Sequence, residues 1–362
     1  MKIKNIFFAA ILVLAGFSCS MEDDAIMNDV EKGIEEATEA YTVLDFGVAF
    51  NEMATKASTT VVPGEDRPAT GDENNDEKKI SEVSVFLLED GKVIGILIPQ
   101  NRNQVSSNSD GSITLKDLKF VTKYKTNRTL DAHVVINGNQ FLKNINIGDA
   151  QSALNQQISG CLSADQLIKY GSTRIVFGKD ITNSYSSPSV AENNPTTILV
   201  KVSHVAARLD FSQFDVTLKG FEGDPTVVFD EAKFVNLQQN GKIVEGDASV
   251  NVKDGAFLNR SNRIGTGWID MGTAYGYANQ YRQDSEMNTA LYVKFTVDGR
   301  TFEKTYPINP AGITKEVDHN GIKGGYLYDI KVRWTITPDW GDSTIEFYTR
   351  DWVHNSIPEI VL

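Results

Sequence analysis

Four histidines, two cysteines and 48 acidic residues are the raw material for chemistry in this chain of 362 residues. His133, His204, His319 and His354 are scattered, and none has a second His or Cys at the spacing that closes a metal site. The acidic stretch DENNDE, residues 72–77, could hold calcium only loosely. It lacks the ligand period and the central glycine of a calcium loop, and it reads more simply as a solvated loop. The glycines of NGIKGGY, residues 320–326, do not stand between a strand and a helix as a phosphate loop would, and they read as a turn. No G-x-S-x-G elbow is present, and Cys161 in SGCLSAD has no catalytic signature around it. Carboxylates are too numerous for the sequence to single out an acid–base pair. The expectation is a protein that is not an enzyme, with no cofactor and no bound metal.

Cys19 has a context of its own. Lys2 and Lys4 precede an apolar run of 12 residues, 6–17. The run is shorter than the ~20 residues that span a bilayer and suits the core of a secretory signal. Gly16 and Ser18 flank Phe17 just before the cysteine. This resembles the signal of a bacterial lipoprotein, in which the cysteine is acylated and becomes the new N-terminus. Phe17 departs from the small or aliphatic residue usual there, and a plain secretion signal with a chance cysteine is the alternative. Ser20, Met21, Glu22, Asp23 and Asp24 follow. They resemble the acidic tract behind the lipid-bearing cysteine in surface-exposed lipoproteins of the Bacteroides group. Anionic headgroups repel acid, so the lipid alone would hold the membrane. With Cys19 acylated, Cys161 has no partner for a disulfide.

The elements around these residues are mostly strands. Hydrophobic residues make up 41% of the chain, too few for a membrane protein, and its length suggests two domains. Net charge is −13 with no basic patch, which argues against nucleic acid. Ile26, Val30 and Ile34 predict a helix over 22–40. Leu44, Phe46, Val48 and Phe50 then alternate with Asp45, Gly47 and Ala49 and predict a strand over 42–50. Residues 51–79, rich in Pro, Gly and charge, read as a loop. Strands follow over 83–90 and 92–98, paired across EDGK, and over 130–138. Ser163 caps an expected short helix over 163–169, and 173–178 returns to strand. The Ser-, Asn- and Pro-rich residues 179–196 mark a domain boundary. In 198–211 the apolar parity changes, which a bulge near His204 would reconcile. A hairpin over 291–308 turns at Asp298-Gly299. Tyr328, Ile330, Val332, Trp334 and Ile336 give the clearest alternation, and 344–353 is the last strand. Short strands with few helices predict an all-β fold of two tandem β-sandwiches.

Several stretches resemble the fimbrillins, pilus subunits of the Bacteroides group: VKVSHVAARLDFSQF (200–214), ENNDEKKISEVSVFLLEDG (73–91), LDAHVVINGN (130–139), EKTYPINP (303–310), GGYLYDIKVRWTI (324–336) and TRDWVHNSIPEIVL (349–362). GIKGGYLYDI departs from a pattern that often carries Arg-Asn before the Tyr. The resemblance implies transthyretin-like, Greek-key sandwiches and the following organisation. Residues 1–19 are the lipoprotein signal and 20–56 a propeptide with a removable strand. Residues 57–190 and 191–362 are the two domains, with a possible donor tail at 344–362. It also implies a surface pilus subunit of the outer membrane, delivered by its lipid and cut after Arg or Lys by a trypsin-like protease. The subunit then polymerises by strand addition. Its partners would be other subunits, with host or bacterial surface ligands beyond them.

Each step finds residues here. Lipid would sit on Cys19. Leu44, Phe46, Val48 and Phe50 would form the removable strand. The Lys56–Ala57 bond lies in a loop, where proteases cut. Arg67 is a second candidate, disfavoured by Pro68. Trp352, Val353, Ile357, Ile360, Val361 and Leu362 would form the donor strand, with Pro358 limiting pairing on one side. The rival reading is a monomeric surface lipoprotein of the outer membrane that binds glycans. Its platform would be Trp268, Tyr275, Tyr277 and Tyr281, in a stretch that otherwise reads as an ordinary Gly- and Tyr-rich loop.

Overall fold

The computed structural model describes residues 39–50, 76–109, 112–244, 248–258, 272–279, 286–308, 321–339 and 343–351. The predicted helix over 22–40 falls outside them, apart from residues 39 and 40, which are not helical. The fold is all-β. Among the described residues, no helix is long and apolar enough to cross a membrane.

One eight-stranded sheet forms the first half, in the order β3-β2-β6-β8-β9-β1-β5-β4. Its members are β1 (Tyr41–Phe50), β2 (Val83–Glu89), β3 (Lys92–Leu97), β4 (Val105–Ser107), β5 (Ile113–Lys123), β6 (Thr129–Ile136), β8 (Lys169–Val176) and β9 (Thr196–His204). β8 and β9 share only two register pairs, Lys169↔His204 and Tyr170↔Ser203. The sheet folds over at this thin join. Val83, Val85, Leu87, Leu130 and Val134 of one arm share a core with Leu44, Phe46, Ile113, Leu115 and Val200 of the other. Gly95 lets the arms approach, since a Cβ there would meet the Phe120 ring at 2.8 Å. α1 (Asn139–Leu142) and α2 (Pro188–Glu192) are one-turn helices on this half.

The second half pairs two four-stranded sheets, β14-β10-β17-β18 and β13-β11-β15-β16. The strands are β10 (Ala207–Leu218), β11 (Val227–Gln238), β13 (Val252–Leu258), β14 (Gly272–Gly276), β15 (Ala290–Val297), β16 (Arg300–Pro307), β17 (Tyr326–Ile336) and β18 (Ser343–Asp351). Leu209, Phe211 and Phe214 of β10 and Tyr328, Ile330, Val332 and Trp334 of β17 meet Phe229, Phe234, Leu291, Val293 and Phe295 in one core. The expected hairpin turns are present. Asp90-Gly91 and Asp298-Gly299 both adopt positive φ, at 49° and 72° and at 45° and 79°. Short strands β7 (Gln157–Ser159) and β12 (Asn240–Lys242) pair with each other and join the two halves.

Three expectations change. Residues 163–169 are not a helix. A 3₁₀ turn covers Ala164–Gln166, the Ser163 side chain makes no capping bond, and β8 begins at Lys169. The parity change near His204 is not a bulge: β9 ends there, and β10 starts at Ala207 in a different sheet. Because β9 pairs with β1 and β8, the passage between halves falls at Val205–Ala206 rather than within 179–196.

Candidate functional site

β1 is the N-terminal described strand, yet it lies inside a sheet. It runs parallel to β9, from Leu44↔Thr196 to Phe50↔Val202, and antiparallel to β5, from Tyr41↔Lys123 to Val48↔Ile113. Its sequence YTVLDFGVAF supplies what such a place needs: β-branched and aromatic residues, no proline, and apolar side chains at every second position from Leu44 to Phe50. Leu44, Phe46 and Val48 are fully buried and Phe50 nearly so. Val43, of opposite parity, is also fully buried, on a strand against which α2 packs.

The outward positions are shaped too. β5 bulges opposite Asp45, where the register jumps from Leu44↔Phe120 to Phe46↔Leu115 and Asp117 adopts φ +58°. The Asp45 carboxylate accepts a 2.8 Å bond from the Phe46 N–H. Burial pushes its pKa up, against the pull of that bond and of Lys119. Gly47 sits where a Cβ would lie 3.2 Å from Leu199 Cδ1 and 3.3 Å from the Ile113 carbonyl oxygen. At its start the strand is held by reciprocal 2.8 Å bonds between Tyr41 and Tyr185. The four side chains expected to form the removable strand are therefore brought together in one channel between β9 and β5.

The other expected site residues, Cys19, Lys56, Ala57, Arg67, Trp352, Val353, Ile357, Ile360, Val361 and Leu362, lie outside the described residues. So do Trp268 and Tyr281 of the aromatic stretch. Its two described tyrosines differ in burial. Tyr277 is buried and its hydroxyl donates to the Gly160 carbonyl at 2.7 Å. Tyr275 donates to the Glu77 carboxylate, and burial together with that carboxylate pushes its pKa up. The Tyr277 ring is closed off as a sugar platform, whereas the Tyr275 ring is half-buried. Cys161 is half-buried and accepts from Gln140 Nε2 at 3.1 Å, and burial pushes its thiol pKa up. His133 is buried with Nδ1 2.8 Å from the Tyr170 hydroxyl, and burial lowers its pKa. Among the described residues, no three His, Cys, Asp or Glu side chains gather as a metal site.

Sequence reasoning missed Glu77. It stands in an acidic run that reads as solvated, yet it is fully buried. The signal available was slight: Glu77 lies just before Ile80 and the first strand of the long β run.

No protein-family model and no curated protein matches the sequence. The fold does match solved structures. A candidate cell adhesion protein of Parabacteroides distasonis superposes with a TM-score of 0.60 at 16% identity, over 88% of this chain and 99% of that one. A second from the same organism gives 0.51 at 12% identity, over 87% and 99%. A fimbrilin of Porphyromonas gingivalis overlaps more loosely, at 0.48 and 15% identity over 88% and 99%. At these identities the likeness is one of fold.

Proposed function

We propose that this chain, which has the fold of those cell adhesion proteins, is a structural subunit of a cell-surface pilus or adhesion fibre whose strand β1 is exchangeable. The observation that carries the reading is the place of β1. It is an interior strand whose inner face is apolar from Leu44 to Phe50, but its covalent link to the rest of the fold runs only through residues 51–75, where Lys56 and Arg67 stand. A cut there leaves β1 held by non-covalent contacts alone. Its departure opens a channel lined by two strands with free hydrogen-bonding edges, and a strand from a neighbouring subunit restores both ladders. Export as a lipoprotein through Cys19 belongs to the same proposal, since the discarded segment would carry the lipid with it. So does a donor strand drawn from residues 352–362. The glycan reading loses Tyr277, which is buried.

The test is assembly. Lys56→Ala combined with Arg67→Ala should stay monomeric when the wild-type chain, treated with a trypsin-like protease, forms ladders that resist sodium dodecyl sulfate. Deleting residues 353–362 should stop growth for a different reason, because the channel opens but the donor is missing. Ladders from the double variant would refute cleavage as the switch, and ladders from the deletion would place the donor elsewhere.

A further inference from the structure

The two halves meet at a built junction. Val205 N–H donates to the Ile168 carbonyl and Gly325 N–H to the Ala206 carbonyl, each at 2.9 Å, so the short crossing is held from both sides. Only glycine fits at 324, where a Cβ would come within 2.1 Å of the Val205 carbonyl oxygen. Apolar residues of both halves, among them Phe86, Leu154, Ile158, Ala206, Ile243 and Leu327, share a cluster there.

Charge is buried in the same place. The Glu77 carboxylate accepts from Arg208 Nη1 at 3.0 Å and from the Tyr275 hydroxyl. Its backbone carbonyl accepts a 2.7 Å bond from Lys169 Nζ, itself fully buried. Arg208 Nε also donates to Asp210 at 2.9 Å, and Asp210 accepts from the Thr273 hydroxyl at 2.7 Å. Glu77 and Lys169 belong to the first half; Arg208, Asp210, Thr273 and Tyr275 belong to β10 and β14 of the second. Two anions and two cations balance. Taking them out of water is costly, and only one mutual placement of the halves returns that cost through paired charges and hydrogen bonds. Such a cluster defines one arrangement more sharply than apolar contact can, since apolar contact is non-directional.

We propose that Glu77 is a strap: the segment leading into β2 inserts this carboxylate into the junction and fixes the two halves as one rigid body. Its meaning for assembly rests on the exchangeable-strand reading. Glu77 lies downstream of both Lys56 and Arg67, so cutting at either would release β1 and leave the strap in place.

Spin labels report it directly. In the full-length chain with Cys19→Ser and Cys161→Ser, labels at Lys92→Cys and Thr305→Cys, both exposed, should give one narrow distance distribution. Glu77→Gln should broaden it at least twofold and split a single calorimetric transition into two. Tyr275→Phe keeps every charge and removes one hydrogen bond. It should broaden the distribution less, and it replaces Glu77→Gln if that variant does not fold. A narrow distribution and a single transition in the folded variant overturn the strap. Cutting the labelled chain at a site-specific protease site placed within residues 51–75 should leave the distribution unchanged, and broadening on the cut alone would also overturn it. Neither result depends on whether cut subunits form ladders, so the two readings fail separately.

Discussion

Phe46→Ala is the most informative single change, because Phe46 is a fully buried ring on the strand proposed to leave. Burying each of Leu44, Phe46, Val48 and Phe50 contributes about 1.5–3 kcal/mol, so the four together hold roughly 6–12 kcal/mol before the cost of ordering. That matches the net stability of a typical domain, about 5–15 kcal/mol. Truncating a buried Phe to Ala costs about 3–5 kcal/mol, part transfer and part cavity. In the uncut chain the loss should lower the melting temperature by roughly 6–20 °C. In a chain cut within 51–75, β1 is a bound peptide, and the same loss weakens its hold roughly 10²–10⁴-fold. The assay is displacement of residues 39–50 from the cut protein by excess labelled peptide of the same sequence, followed by fluorescence anisotropy. Wild-type β1 should exchange slowly and Phe46→Ala within the mixing time. If Phe46→Ala leaves both the melting temperature and the exchange rate unchanged, the channel does not depend on β1, and the exchangeable-strand reading is wrong.

Asp45 should make β1 sensitive to pH. Burial raises its folded pKa, so the carboxyl's contribution is present at low pH and fades as pH climbs through that raised value. β1 should exchange more slowly in mild acid than at neutrality, and Asp45→Asn should flatten the difference; an equal slope in the variant counts against burial as the cause. Gly324→Ala should cost about 1–3 kcal/mol or more by forcing the Val205 carbonyl away, read as a lowered denaturation midpoint with an unchanged slope. Cys19→Ser should abolish incorporation of radiolabelled palmitate; equal labelling of the variant would remove the lipid from the reading.

Strands that bury one face were legible in the sequence, because a two-residue period leaves its mark wherever the other face is polar. The 42–50 strand, the β17 alternation and the two Asp-Gly hairpins all follow from that rule. β9 and β10 read as one bent strand, since both carry apolar residues on either side of His204 and period alone does not reveal a change of sheet. β5 and β11 went unread: their alternation is broken by bulges, at Asp117 and between Phe229 and Glu231. The channel could be guessed from β1 but not its walls, which come from residues about 70 and about 150 positions later. Glu77 was hidden for a plainer reason. A buried charge is legible only through its partners, and Arg208 and Tyr275 are far away in sequence.

The parallel pairing of β1 with β9 also sets a timetable. Leu44 finds its partner Thr196 only when nearly the whole first half has been made. Until then the strand has no permanent seat, and its earlier neighbour β5 offers only one ladder. Contacts this distant in the chain form slowly. A strand that must wait this long leaves its half of the molecule open while the chain is still being made. The first half closes around β1 only once β9 has arrived.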